Sequence, residues 1–404
     1  MESISGGVCA AKGFKAYGVH CGIRKNKTKE DLALVVADCP CSAAAVYTTN
    51  KVKGAPITVT RAHLADGKAQ AIVCNSGNAN TCNADGVAKA EEMCRLVERH
   101  TGVKAEDVIV ASTGVIGQIL PIQPIVSGMP ALAAGLSAKG NTIAARAIMT
   151  TDTRVKEYAR KCEIGGYTVT VGGMAKGSGM IHPNMATLLA FVTTDAAISP
   201  KMLDAALKDA VEDTLNMVSI DGDTSTNDML TVMASGMSGM PEITREGEQY
   251  SAFKSALTAV LEDISKAIAA DGEGATKLLE CSVEGALDKQ TAKKIAKSVV
   301  CSSLLKAAIF AADANWGRIL CAIGYAEAEF DIDKVDVDIV SDAGAVAVCR
   351  GGNGVDFDET AAKRVLLEDE IRICVNCNSG DGKAVAWGCD LTYEYVKINA
   401  DYRT

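Results

Sequence analysis

Residues 172–192 read Gly172-Gly-Met-Ala-Lys176-Gly-Ser-Gly-Met-Ile-His182-Pro-Asn-Met-Ala186-Thr187-Leu-Leu-Ala-Phe-Val192. Glycines and a proline crowd the part before Thr187, which reads as a turn-rich loop, and the apolar run after it reads as a buried strand. Thr187 is therefore expected at a loop-to-strand junction. Such a junction can strain the Ala186–Thr187 peptide and aim the hydroxyl at its own preceding carbonyl. An N-to-O acyl shift and hydrolysis would then free the Thr187 α-amine, whose ordinary pKa of about 7.7–8.0 lets it accept the hydroxyl proton near neutral pH. Nucleophile and base would sit on one residue, which suits a chain without Ser-His-Asp spacing. Taken alone, an Ala-Thr pair is far more often an ordinary β-branched strand residue, and the local chemistry does not overturn that reading.

Working outward, the runs Leu32–Val36, Ala44–Thr48 and Ile57–Thr60 read as strands between polar turns. Val87, Ala90, Cys94 and Val97 recur at helical spacing. Val108-Ile-Val-Ala111 then runs apolar into Ser112-Thr113-Gly114, so a strand delivers Thr113 and Gly114 to a turn. Residues 108–138 carry no charge, but Pro121, Pro124, Pro130 and four glycines break the stretch, and it reads as buried strand and loop rather than a membrane span. Amphipathic helices are expected over 202–217, 253–268 and 292–300. Alternation in Val335–Val340 and apolar stretches near 371–375 and 391–397 predict a tail that is mainly sheet. No repeat or low-complexity linker marks a domain boundary.

The 404 residues suffice for two structural units or one large α/β assembly, and 48% hydrophobic with 23% charged residues is ordinary for a globular enzyme. A net charge of -9 without a basic, aromatic-laced run argues against nucleic acid as a partner. The first residues show no basic region followed by an apolar core, so the expected compartment is the cytoplasm. Fifteen cysteines, an odd and dispersed set, read as reduced thiols. Cys39-Pro-Cys41 and Cys374-Val-Asn-Cys377 lack the second pair a zinc site needs, and the four histidines are not spaced as ligands, so no metal is expected.

The segment Lys176–Leu189 resembles the autoprocessing segment of the ornithine acetyltransferase family. In the family's order it is joined by Asn75–Asn80, Ala111–Gly117, Met149–Thr153, Asp221–Asp228, Asn315–Arg318 and Lys397–Thr404. The resemblance spans essentially the whole chain. It implies an α/β, two-chain self-cleaving fold with mixed sheets and flanking helices, cut between Ala186 and Thr187 into residues 1–186 and 187–404 and assembled as an α2β2 heterotetramer. It also implies a ping-pong reaction in arginine biosynthesis: N2-acetyl-L-ornithine acetylates Thr187, and L-glutamate takes the acetyl group to give N-acetyl-L-glutamate. In bifunctional members acetyl-CoA is a further donor substrate, and no cofactor is needed.

By the same resemblance Thr113 and Gly114 are the oxyanion pair, a hydroxyl and a backbone N–H. Thr150, Thr151, Lys176, Thr187, Glu273, Asn399 and Thr404 are substrate-binding positions, with lysine suited to a carboxylate and glutamate to an amino group. Asp223–Asn227 and Asn315–Arg318 are assigned to scaffold or pocket wall. Where many family members carry Asp-Pro-Asn-Trp-Gly-Arg, this chain has Ala314 in place of the proline, which relaxes the loop. Two other readings stay open. An N-terminal-nucleophile aminopeptidase or amidase would pass the acyl group to water, and a non-catalytic binding protein would remain one intact chain.

Overall fold

A computed structural model of the chain describes residues 1–182 and 188–401, which group into two compact units. The first takes in residues 1–177, the described part of 183–216, and 224–264; the second takes in 178–182, 217–223 and 265 onward.

The first unit contains, in chain order, β1 (Glu2–Ile4), β2 (Phe14–Val19), β3 (Leu32–Tyr47), α1 (Ala55–His63), β4 (Lys68–Asn78), α2 (Gly86–Thr101) and β5 (Val108–Val115). These are followed by α3 (Ile122–Ala134), α4 (Asn141–Ile148), β6 (Lys156–Ile164), β7 (Tyr167–Lys176), β8 (Leu189–Thr194), α5 (Pro200–Asp213), β9 (Met229–Ala234) and α6 (Glu248–Ala270), whose residues from Ser265 on count with the second unit. Among the described residues its strands make one nine-stranded mixed sheet, in the order β1-β6-β7-β8-β9-β3-β4-β5, with β2 also on β3. Along β5, Ile109 and Ala111 enter one apolar cluster while Val108 and Val110 enter another. Burial on both faces is why the run Val108–Ala111 is apolar without alternation.

The second unit contains β10 (Leu278–Ala286), α7 (Lys289–Cys301), α8 (Ser303–Phe310), α9 (Trp316–Gly324), β11 (Asp336–Ser341), β12 (Gly344–Arg350), β13 (Asn353–Gly354), α10 (Glu359–Leu366), β14 (Glu370–Asn376), β15 (Gly382–Cys389) and α11 (Tyr393–Ala400). Its sheet runs β13-β12-β11-β14-β10-β15, with β10 and β14 parallel. The Asn315 side chain accepts from Arg318 N–H and caps α9, a scaffold role. No helix of the described residues is long and apolar enough to cross a membrane.

Several segments differ from the sequence expectation. Leu32–Val36 and Ala44–Thr48 belong to one long strand, β3, whose register on β4 shifts between Val36 and Cys41. Ile57–Thr60 is helix α1 rather than a strand: Pro56 sits in its first turn, and the Thr60 hydroxyl donates to Val110 O at 2.8 Å and accepts from Val110 N–H at 2.9 Å. Tertiary burial overrides the β-branched preference there. The loop expected after residue 115 contains helix α3, which buries Ile125, Met129 and Leu132; Pro124 falls in the first turn, where no donor is missed, and Pro130 lies inside. Gly172–Lys176 is strand β7, not loop. Residues 391–397 lead into helix α11, whose Tyr393 and Val396 face solvent instead of packing in a sheet.

Candidate active site

Tight local geometry marks the end of β5 in the first unit. Ser76, Gly77 and Asn78 of β4 run parallel to Thr113 and Gly114, and the register breaks at Asn78. Gly114 has φ +130°, and a Cβ built there would stand 2.3 Å from the Gly77 carbonyl carbon. Only glycine fits both the backbone conformation and the space. Side-chain amides clamp this corner: Asn75 donates to Asn78 O at 3.0 Å and accepts from the Ser112 hydroxyl at 2.6 Å, and Asn227 donates to Ser112 O at 2.9 Å and to Ala79 O at 2.5 Å. Thr113 is 7% exposed, and its hydroxyl has no hydrogen bond among the described residues. A hydroxyl on a largely buried residue, not used in an internal hydrogen bond, is poised to donate to a bound group.

Beside this corner lies a buried ionic network. Asp152 accepts from Lys156 Nζ at 2.6 Å, Gly177 N–H at 2.7 Å and Thr150 N–H at 2.9 Å, and both members of the Asp152–Lys156 pair are essentially buried. Burial works against the Asp152 charge, yet Lys156, Lys176 and the Gly177 N–H outweigh it and hold the carboxyl down at about 2. Lys176 Nζ reaches Thr150 Oγ1 at 3.4 Å. Asp228 is 3% exposed, its Oδ2 has no hydrogen-bond partner among the described residues, and burial pushes its pKa well up despite Lys176, Ser225 and Thr48. Lys156 and Lys176 thus both bear on the one Asp152 carboxylate. A second lysine beside the Asp152–Lys156 pair offers its charge to an incoming carboxylate.

The second unit gathers its own polar set. The Asp221 carboxylate accepts from Met180 N–H at 2.6 Å, Ile181 N–H at 2.8 Å and the Tyr395 hydroxyl at 3.2 Å. Desolvation and then Asp221 push the Tyr395 pKa up. Glu273 N–H donates to Ser178 O at 2.7 Å, and its carboxylate accepts from Asn399 Nδ2 at 2.7 Å. A Cβ on Gly179 would meet that carboxylate carbon at 2.3 Å, so glycine lets Glu273 lie against the main chain. His182 Nδ1 stands 3.0 Å from Ser219 Oγ and 3.6 Å from Cys301 Sγ. Burial, followed by the nearby Lys297, drops the His182 pKa to about 4 against the pull of Asp221.

The structure thus brings Thr113 and Gly114 together, joins Thr150 to Lys176, and pairs Glu273 with Asn399. Thr151 lies between Thr150 and Asp152, half-buried. Ala186, Thr187 and Thr404 lie outside the described residues. Asp152, Lys156 and Asp228 were not foreseen as site residues. Asp152 and Asp228 fall inside quoted motifs, and a carboxylate there was a usable signal; Lys156 reads as plain surface charge. All fifteen thiols are free, and among the described residues no three His, Cys, Asp or Glu side chains form a metal cage.

The fold and these buried polar sets define a mixed α/β enzyme. Residues 15–404 match the ArgJ family model. An arginine biosynthesis bifunctional protein ArgJ of Symbiobacterium thermophilum is 52% identical over 100% of both chains, and one of Clostridium acetobutylicum is 50% identical over 97% of this chain and 96% of its own. A crystal structure of the same kind of protein from Bacillus halodurans is 46% identical with a TM-score of 0.50, covering 52% of this chain and 97% of the solved one. The chain belongs to the ArgJ family.

Proposed function

We propose that this chain transfers the acetyl group of N2-acetyl-L-ornithine to L-glutamate through an ester on Thr187, with acetyl-CoA as a second donor, in arginine biosynthesis. The single observation that carries the reading is the hydroxyl of the largely buried Thr113, not used in a hydrogen bond among the described residues, beside the pinned Gly114 backbone. The chain is cut between Ala186 and Thr187 and works as an α2β2 assembly in the cytoplasm, with no metal or prosthetic group. A solved family chain that matches only 52% of this one, where full-length relatives match all of it, supports such a break, because 187–404 is a little over half of the sequence.

The freed Thr187 amine takes the hydroxyl proton, and Oγ attacks the acetyl carbonyl. Thr113 Oγ1–H and Gly114 N–H donate to the developing oxyanion. Collapse breaks the C–N bond, and the ammonium returns its proton to the departing ornithine amine. Glutamate's amine then attacks the ester by the reverse sequence and leaves as N-acetylglutamate. Lys176 holds a substrate carboxylate, fixed by Thr150 and the Asp152–Lys156 pair, and Glu273 with Asn399 binds a substrate amino group. Thr151 and Thr404 complete the substrate contacts.

Acetylornithine alone should release about one ornithine per active site in a rapid phase, leave Thr187 acetylated, and stall until glutamate is added. Steady release of free acetate at the same rate without glutamate would make the enzyme a hydrolase. Thr113→Ala should lower kcat by roughly 10²–10³ with little change in KM, since its donor acts on charge that appears in the transition state. A raised KM with normal kcat would reject the oxyanion role.

A further inference from the structure

The connection between β2 and β3 is the most cationic stretch of this acidic chain. It reads Cys21-Gly-Ile-Arg24-Lys25-Asn-Lys27-Thr-Lys29-Glu30, four cations in six residues from Arg24 to Lys29, in a protein of net charge -9. Its base is rigid. The Asp31 carboxylate accepts from the N–H groups of Cys21 (2.6 Å), Gly22 (3.1 Å) and Arg24 (2.9 Å), and Asp31 O accepts from Ser76 N–H at 2.9 Å. Ser76 is in register with Thr113, so the loop springs from the corner that carries the oxyanion pair.

Arg24 fixes the loop to the site a second time. Its guanidinium donates to Met149 O, one residue before Thr150, and its Cγ would lie 2.9 Å from a Cβ on Gly77, the partner of Gly114. Burial raises the Cys74 pKa, and Lys176 and Arg24 both pull against that rise. Beyond Arg24 the side chains turn to solvent. Lys25, Lys27 and Lys29 are exposed and make no ion pair among the described residues, while the nearby Glu30 is engaged by Arg146 at 3.6 Å. The acid that could neutralise the loop is therefore occupied, and the Asp31 charge is taken up by backbone donors.

An acetylornithine molecule has no group to use three outlying lysines. An acetyl thioester of coenzyme A does: its acetyl carbon must reach the nucleophile while its diphosphate and ribose phosphate stay at a distance along a flexible arm. Six residues folded back on themselves can reach roughly 10 Å beyond their anchor, the kind of separation that a flexible arm between acetyl group and phosphates would span. We propose that the loop 21–30 binds the phosphates of a coenzyme A thioester donor, with Arg24 at the inner end and Lys25, Lys27 and Lys29 at the outer end. The inference rests on the acetyl-transfer reading and adds to it a separate subsite for one of the two donors.

The test compares the wild-type protein with the triple variant Lys25→Ser/Lys27→Ser/Lys29→Ser, using acetyl-CoA, S-acetylpantetheine and acetylornithine as donors to glutamate. The variant should raise KM for acetyl-CoA about tenfold, as loss of several exposed cation–phosphate contacts would. KM for S-acetylpantetheine, which lacks the nucleotide phosphates, and for acetylornithine should move less than about twofold, since neither donor reaches the outer lysines. Raising salt from roughly 50 to 200 mM should weaken acetyl-CoA use in the wild type much more than in the variant. Equal KM values for acetyl-CoA in the two proteins overturn the subsite, and so does a wild type that turns over acetylornithine but not acetyl-CoA. Failure of all three donors to acetylate glutamate would instead remove the transfer reading itself.

Discussion

Thr187→Ala is expected to accumulate as a single chain of 404 residues and to lose acetyl transfer by at least about 10⁴-fold. One hydroxyl is asked to do two jobs, attack on its own preceding carbonyl and attack on the donor, so its removal deletes both. Denaturing mass analysis reads the first loss and glutamate acetylation the second. Thr187→Ser keeps a hydroxyl and should be cut and retain activity. An active preparation made only of intact chain, or a cut and active Thr187→Ala protein, would end the proposed mechanism.

Lys156→Met should be the most destabilising single change in the site. It leaves the Asp152 carboxylate buried with its closest cation gone, a loss of about 3–5 kcal/mol in a denaturant titration. Lys156→Met with Asp152→Asn removes both charges and should recover part of that loss. The pair also predicts an acid dependence. Asp152 is held at about 2, below its ordinary 3.8, so the stability it adds is present above the ordinary value and fades as pH falls toward 2. That fading should be worth about 2–3 kcal/mol at 1.4 kcal/mol per pH unit, and Lys156→Met should flatten it. A change below about 1 kcal/mol with an unaltered acid slope would show that the pair does not hold the site together.

Much of this was legible in the sequence because the signal was periodic or local. The helices over 87–98, 253–268 and 292–300 follow from apolar spacing, and all lie inside observed helices. The segments that misled obey other rules. Ile57–Thr60 has strand-loving residues but turns into α1, where Thr60 satisfies Val110 from across the sheet, a contact 50 residues away that no window sees. Gly172 and Gly173 look like loop, yet in β7 the first lies so close to Gly7 O that a Cβ would stand 2.0 Å from it; the glycines serve close approach. Within the site, Thr113 and Gly114 stood out because the stretch Ala111–Gly117 around this strand end resembles the family's. Lys156 did not, since its role exists only once Asp152 is brought onto it by the fold.

The place of β8 and β9 in the first sheet has a consequence for the life of the enzyme. Both strands follow Thr187 in sequence, but they sit between β7 and β3, which precede it, and Met229 N–H donates to Leu188 O at 2.9 Å beside them. A break before Thr187 therefore leaves two polypeptides interleaved strand by strand in one hydrogen-bonded ladder. The uncut precursor reaches this arrangement in a first-order process, whereas cut and denatured material must find its complement by collision. Recovery of the processed enzyme from denaturant should depend on protein concentration, and the precursor's should not. The cut would act as a ratchet: it lets the enzyme work but erases the covalent link that made its assembly independent of dilution.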